Sequence, residues 1–239
     1  RRRKFRRRWR LGGLVMGYLN EKQHTIVSDA VAQAELTTSG EIVTVLADRS
    51  DGYTDVALWW AVGASFTAMS LFAMIPETVL SVVDSFAGGW SSEWSQGQVL
   101  TVLLLVGLVT FLLMLALQLW QPLKFKLIPG PVTADRVRDA AVRHFKVGAE
   151  RRTHGRTGVL LYLSMREHRA EIVADEPIAE MVHAEIWGEA MADMLAEVSR
   201  GRLAEGLAAG VRDVGKVLAE NFPRADDDEN ELPDRLIEL

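Results

Sequence analysis

Two long apolar segments without charge constrain this chain more than any other feature. Val56–Ile75 and Val99–Leu119 each run for about 20 residues without an Asp, Glu, Lys or Arg. A helix rises about 1.5 Å per residue, so each segment would span roughly 30 Å, the thickness of a bilayer's hydrocarbon core. Because backbone hydrogen bonds must be satisfied internally in lipid, the pair predicts a transmembrane hairpin over residues 56–119. The alternative, two buried helices of a soluble protein, fits the length less well.

The charges around the hairpin predict its orientation. The link Pro76–Gln98 carries Glu77, Asp84 and Glu93 but no Lys or Arg. Basic residues flank both outer ends, namely the arm Arg1–Arg10 and then Lys124, Lys126, Arg136 and Arg138. The positive-inside rule therefore predicts an inner-membrane protein with two spans, both termini and the soluble part being cytoplasmic.

The basic arm differs sharply in charge from the rest of the chain. Eight of the 27 basic residues lie in Arg1–Arg10, against 32 acidic residues overall. Residues 1–19 are predicted to form a solvated arm whose charges contact anionic lipid headgroups. The remaining chain is acidic, which argues against nucleic-acid binding. The chain has no cysteine, which excludes disulfides, thiolate metal sites and cysteine nucleophiles.

The soluble part has the pattern of an α/β fold. Apolar positions recur at helical spacing between residues 20 and 39, and a helix is predicted to start with Thr133 as its cap. Strands are predicted at Glu41–Ala47, Gly158–Ser164 and Ala170–Ala174. Three helices are expected to follow, from Pro177 to Trp187, at Glu189–Arg200 and at Leu203–Asn221.

These elements predict one domain that the hairpin interrupts. A single strand cannot form a stable sheet, so Glu41–Ala47 must pair with Gly158–Ser164 or its neighbour. The predicted parts of the domain are therefore residues 20–55 and 120–223. Residues 224–239 are predicted to be an exposed, partly disordered acidic tail.

Three groups of residues carry a family resemblance. Thr38–Val43 (Thr-Ser-Gly-Glu-Ile-Val) follows an amphipathic helix, and Gly158–Leu161 precedes a hairpin that ends in Ile172–Asp175. Further positions are Trp187, Gly206, Leu207, Gly210, Asn221–Pro223 and Asn230–Pro233. Over roughly residues 20–55 and 130–235 this pattern resembles the TPM domain family, which is named for thylakoid lumen, photosystem repair and receptor-modulator proteins. The late positions resemble a bacterial subgroup with an inserted membrane hairpin.

The resemblance implies an α/β/α sandwich around a small sheet. Some members of the family are described as acid phosphatases, some as calcium binders, and others as assembly or repair factors. Many relatives have their soluble domain outside the cytoplasm, whereas the charge pattern of this chain predicts the opposite.

The best candidates for a divalent-cation site are carboxylates at strand ends. Glu41 begins the first strand, and Asp175 and Glu176 follow the third. Ca²⁺ or Mg²⁺ needs several converging oxygens, and ligands of α/β folds gather near strand ends. The structural alternative is that Asp175 caps the next helix and Glu41 pairs with an arginine such as Arg169.

Two other motifs have weaker claims to chemistry. The loop His154–Gly158 offers Arg156 and backbone amides to a phosphate, although it contains no Cys or Asp nucleophile. The pairs Glu21–His24 and Glu180–His183 have the spacing of di-iron ligands but need a helical bundle that an α/β fold lacks.

The sequence thus predicts a membrane-anchored TPM-like protein without catalytic activity of its own. Its role would be that of an interaction, assembly or repair module with a protein partner. The alternative is a metal-dependent phosphatase of phosphomonoesters that uses Glu41 and Asp175, with Arg156 holding the phosphate.

Overall fold

The computed structural model describes residues 17–87, 94–148, 157–224 and 235–239. Their elements, in chain order, are α1 (Glu21–Glu35), β1 (Glu41–Ala47), α2 (Thr54–Met74), α3 (Pro76–Ala87), α4 (Gln96–Leu117), α5 (Gln121–Leu127), α6 (Gly130–Gly148), β2 (Gly158–Ser164), β3 (Arg169–Ala174), α7 (Glu176–Met181), α8 (Ala184–Ser199), α9 (Leu203–Asn221) and β4 (Ile237–Glu238).

A four-stranded mixed sheet with the order β3-β2-β1-β4 forms the centre of the fold. β1 and β2 are parallel over their full length, from the pair Glu41–Gly158 to the pair Ala47–Ser164. β3 returns antiparallel to β2 as a hairpin, and β4 adds two parallel pairs on the outer side of β1. The predicted pairing of the first strand with the second is thus confirmed.

Helices cover both faces of this sheet. Val43, Val45 and Tyr162 on one face pack with Val137 and Phe145 of α6. The opposite face is larger and packs against helices α1, α8 and α9; its buried residues include Val27, Val31, Ile42, Leu46, Leu161, Met194, Leu207, Val211 and Leu218. Both β1 and β2 are fully buried, as continuous apolar strands of an α/β sheet should be. The α/β/α arrangement that the TPM resemblance implies is confirmed.

The chain divides into two compact units. One comprises the described residues up to Ser50 and from Val137 onward, and the other spans Asp51–Arg136. The second unit contains α2 and α4, which have 21 and 22 residues and mean hydropathies of 1.6 and 2.9. Both helices are long and apolar enough to cross a membrane, on the basis of length and composition. Their bounds agree with the two predicted spans within a few residues.

Three helix boundaries differ from the sequence predictions, and proline explains two of them. Since proline cannot continue a helix, the sequence predicts a helix end at Pro122, but the structure places Pro122 in the first turn of α5. The expected cap Thr133 lies inside α6, which begins at Gly130, and its hydroxyl donates to the Gly130 carbonyl. Pro122 in α5 and Pro131 in α6 both lie in the first turn of their helix, where a proline costs no hydrogen bond. The single helix expected from Pro177 to Trp187 is wrong, because extended backbone at Val182 and His183 separates α7 from α8.

The described residues at the two ends of the chain contain more order than expected. Leu19, in the predicted solvated arm, is buried in the core, as is Leu236, in the predicted exposed tail. Long-range contacts between these two ends produce this order, which no local pattern indicates. The link contains α3, whose twelve residues are amphipathic. The arm residues 1–16 and the tail residues 225–234 lie outside the described part of the chain.

We predict that Gly215→Ala destabilises the α/β unit by about 1–3 kcal/mol, because overpacking forces backbone shifts. A Cβ at Gly215 of α9 would lie 2.6 Å from the Cβ of Ala34 in α1. The matched control is Gly188→Ala in α8, where an added Cβ meets nothing within 4 Å. The control should gain about 0.5–1 kcal/mol from helix propensity. Thermal unfolding of the full chain by circular dichroism measures both, and equal effects would contradict the close packing of α1 and α9.

Candidate functional site

The structure brings two of the predicted site residues to one edge of the sheet. Glu41 and Gly158 are register partners at the start of β1 and β2, and Asp175 follows the last residue of the antiparallel β3. The Gly158 amide donates to Asp175 Oδ2 at 2.9 Å, and the Asp175 amide donates to the Gly158 carbonyl at 2.9 Å. Glu41 and Asp175 are 5% and 2% exposed. Two buried carboxyl groups therefore lie around the first residue of β2.

The other predicted site residues are placed differently. Glu176 is exposed at the start of α7, and Asp175 makes no side-chain cap to that helix. Within the described residues, no group of three His, Asp or Glu side chains is arranged to hold a metal ion. Arg156 lies outside the described residues. The cation site at Glu41, Asp175 and Glu176 and the phosphate contact of Arg156 therefore stay predictions.

The Glu-x-x-His pairs do not form a joint site. Glu180 lies in α7, whereas His183 precedes α8, so the two are not on one helix face. His24 of α1 lies 3.0 Å from Glu238 Oε1 in β4, through its Nε2 atom. The contact between His24 and Glu238 was not anticipated, because the two residues are far apart in the sequence.

The carboxyl ends of β1 and β2 hold a polar cluster that sequence reasoning missed. Asp48 accepts hydrogen bonds from the Tyr18 hydroxyl and, at 2.8 Å, from Arg166 Nε. Glu167 accepts from the Ser164 hydroxyl and, at 2.9 Å, from the Ser50 amide. The visible signal is that Asp48 follows β1 directly and that Arg166 and Glu167 lie just after β2. This is the edge where parallel α/β sheets usually bind ligands.

The rings of Tyr162 and His144 extend this cluster on the face of the sheet that packs against α6. The hydroxyl groups of Tyr162 and Ser50 are 3.1 Å apart, and the His144 ring stacks on the Tyr162 ring at 5.8 Å. Burial raises the pKa of Tyr162, although the hydrogen bond with Ser50 opposes part of the shift. Burial also raises the pKa of Tyr18, and its bond to Asp48 adds to the rise. Burial, with a smaller effect of Arg143, lowers the pKa of His144.

This arrangement fixes loops more readily than it performs chemistry. The carboxylates of Asp48 and Glu167 already accept bonds from neighbouring side chains and backbone. Ser164, whose hydroxyl donates to Glu167, is 0% exposed and cannot meet a substrate. Both tyrosines stay protonated at neutral pH and act as hydrogen-bond donors or acceptors. The cluster thus ties the segments after β1 and β2 to each other and to the chain before α1.

The raised tyrosine pKa values predict a loss of stability in alkali. Below the unfolded pKa of about 10, both states keep these protons and the stabilisation is complete. Above it, the unfolded chain releases protons that the folded chain retains, so the free energy of unfolding falls as pH rises. Tyr18→Phe with Tyr162→Phe should flatten this fall between about pH 9 and 11. Denaturant unfolding at several pH values measures it; identical slopes in variant and wild type would contradict the assignment.

Comparison with known proteins bears on the α/β unit. No curated protein matches the chain. The NMR structure of the BA42 protein from the psychrophilic bacterium Bizionia argentinensis matches with a TM-score of 0.54 and 18% identity, covering 95% of this chain and 100% of that one. Such a likeness concerns the fold alone. The family model described as TPM domain matches residues 131–217, which include β2, β3 and α8. The resemblance to the TPM domain is therefore confirmed over residues 131–217, and the chain shares the fold of the BA42 protein.

Proposed function

We propose that this chain is a membrane-anchored TPM-like protein whose α/β unit is a non-catalytic interaction, assembly or repair module. The observation that carries the proposal is the exposed apolar surface of α2 and α4. Trp59 and Phe66 of α2 are 71% and 66% exposed, and Leu104 and Leu113 of α4 are 65% and 59% exposed. Soluble proteins rarely expose contiguous apolar patches of this kind. A bilayer is the solvent that suits them.

The contact between α2 and α4 also suits a membrane. Gly107 of α4 lies against Met69, so that the two helices approach closely. The Ser65 hydroxyl donates to the Gly107 carbonyl at 2.9 Å, and Gln118 Nε2 donates to the Ala57 carbonyl at 3.0 Å. Small residues and interhelical hydrogen bonds are typical of packed transmembrane helices, where the hydrophobic effect cannot hold helices together.

Polar and basic residues gather at one end of the hairpin. Arg136 contacts Asp51 at 3.3 Å and Asp55 at 2.7 Å, and Lys124 Nζ donates to the Gly52 carbonyl at 2.5 Å. The Trp60 indole donates to the Leu127 carbonyl at 2.9 Å. Lys, Arg and Trp are typical of helix ends at the headgroup level, and the basic bias supports a cytoplasmic face for the α/β unit at the inner membrane.

The proposal also includes the basic arm and a protein partner. The arm Arg1–Arg10 would add electrostatic contact with anionic headgroups on the cytoplasmic leaflet. The interruption of the α/β unit by the hairpin, as in the bacterial subgroup, would attach that unit to the membrane through two connections, after Ser50 and before Val137. A protein partner would then be met at the membrane surface.

Membrane extraction tests the anchor. We expect the wild-type chain to stay in the membrane pellet after alkaline carbonate treatment. Replacing Leu105 and Leu108 near the centre of α4 with Arg should release much of the chain, since each Arg costs about 2.5–3.5 kcal/mol at the centre of a span. Leu119→Arg, beyond the end of α4, is the matched control and should stay in the pellet. Release of the wild-type chain by carbonate would overturn the anchor.

One observation favours a second candidate, the metal-dependent phosphatase. Glu41 and Asp175 are buried at one edge of the sheet, and burying carboxylates is costly without a compensating role. The assay is hydrolysis of a phosphomonoester by the full chain in detergent, with and without Ca²⁺ or Mg²⁺. We expect no turnover. Metal-dependent turnover that Asp175→Asn abolishes, in a variant that still melts cooperatively, would replace the non-catalytic role with the phosphatase.

A further inference from the structure

We propose that the outer edge of β1 is a peptide-binding groove for an extended segment with an apolar residue followed, two residues later, by a carboxylate. In this chain its own residues 236–239 fill the groove. The ligand class is an extended peptide of a partner protein, with the pattern Leu-x-Glu. The inference names a partner class for the interaction module proposed above, and it rests on that function.

The backbone of β4 occupies this edge as an added strand. Val45 and Leu46 of β1 pair with Ile237 and Glu238. The Leu239 amide donates to the Leu46 carbonyl at 2.9 Å, and the Asp48 amide donates to the Leu239 carbonyl at 2.9 Å. Strand addition of this kind supplies affinity through main-chain hydrogen bonds, whereas pockets for alternate side chains supply specificity.

Alternate side chains of the resident segment point into the α/β unit. Leu236 is 5% exposed and belongs to the larger core cluster, whereas Ile237 and Leu239 are 36% and 53% exposed. Residues two apart in a strand lie on the same face, so Leu236 and Glu238 are the two that the groove recognises.

The carboxylate of Glu238 lies in a site built for it. Glu238 accepts hydrogen bonds from the Tyr18 amide at 2.9 Å and the Leu19 amide at 3.1 Å, and His24 Nε2 lies 3.0 Å from its Oε1. Gly17 closes the site, since a Cβ there would overlap Glu238 Oε2. Two adjacent backbone amides and an imidazole form a concave donor set that matches a carboxylate. A neutral or cationic side chain would leave these donors unsatisfied.

The groove has a defined end along β1. The Glu35 carboxylate accepts from the Ile42 amide at 2.8 Å, so a side chain occupies the edge near the start of the strand. An added peptide is therefore confined to the second half of β1, next to residues 17–24. This confinement fixes the register in which an apolar residue and a carboxylate meet their pockets.

The resident strand is short enough to be exchanged. It contributes two residue pairs, whereas strands in proteins usually have about five or six residues. Residues 225–234 connect it to Arg224 and contain six acidic residues and no basic one. Because the resident strand belongs to the same chain as β1, its effective concentration is high, on the order of millimolar, and a partner peptide competes with it directly.

Peptide binding to the full chain in lipid nanodiscs tests the groove. The probe is a fluorescein-labelled peptide with the sequence of residues 235–239, followed by anisotropy. The double variant Leu236→Asp and Glu238→Lys ejects the resident strand, and we expect it to bind the probe at least about tenfold more tightly than wild type. A probe in which Lys replaces the Glu should lose at least about tenfold in affinity. A probe in which Thr replaces the exposed Ile is the matched control and should bind within about twofold.

Each other outcome overturns the proposal. If the double variant keeps its cooperative thermal transition but binds no probe, the groove does not exist. The same conclusion follows if the double variant is unfolded and the probe fails to restore its transition. If wild-type chains form a dimer that the probe dissociates, the chains exchange their own strands. The groove would then bind a second copy of the chain and not a partner protein. Failure of the groove leaves carbonate extraction unchanged, so it is distinguishable from failure of the anchor.

Discussion

The parallel pairing of β1 with β2 is the constraint on which the rest of the structure depends. The two strands run side by side over all seven residues of each, yet residues 48–157 separate them in the sequence. A parallel pair needs a connection that crosses from one edge of the sheet to the other, and α6 makes that return by packing on the face formed by Val43, Val45 and Tyr162. The segment between β1 and β2 therefore interrupts this unit in the sequence without breaking the pairing of its strands.

The edges of the same sheet account for the polar features of the α/β unit. At the amino edge, Asp175 holds the first residue of β2 through its carboxylate. At the carboxyl edge, Asp48 and Glu167 connect the segments after both strands to Tyr18 and Ser50. At the outer edge of β1, Glu35 and the β4 strand cover backbone groups that would otherwise be exposed. At each of these edges a carboxylate thus accepts a hydrogen bond from a backbone amide.

The local sequence pattern was sufficient for elements whose ends are marked by polar residues, glycine or proline. β1 and β2 were predicted with their observed bounds, because apolar strands lie between polar or glycine residues. α9 was also predicted with its observed bounds, since its apolar spacing stops before Pro223. The break between α7 and α8 was missed because no proline or glycine marks Val182 and His183. β4 was missed because the acidity of the preceding segment dominates its surroundings, and its partners Tyr18 and His24 are remote in sequence.

The candidate site was predictable only in part for a related reason. Glu41 and Asp175 were expected near strand ends, and the structure places both at one edge. Whether that edge carries the amino or carboxyl ends of parallel strands depends on the pairing, which local sequence does not specify. The polar cluster of Asp48, Tyr162 and Glu167 lies at the other edge, where β1 and β2 end. It was missed because local sequence does not specify which strands pair. The Tyr18–Asp48 and Ser50–Glu167 bonds of this cluster join parts of the chain that are 30 or more residues apart.

The central claim, that two apolar helices cross a membrane and hold the α/β unit on the cytoplasmic side, is tested most directly by cysteine labelling in cells. The chain has no cysteine, so Ser81→Cys in α3 and Ser199→Cys at the end of α8 each introduce a single thiol at an exposed position. A membrane-impermeant maleimide should label Ser81→Cys in intact cells and Ser199→Cys only after permeabilisation. Labelling of Ser199→Cys in intact cells, or protection of both thiols until permeabilisation, would contradict the account.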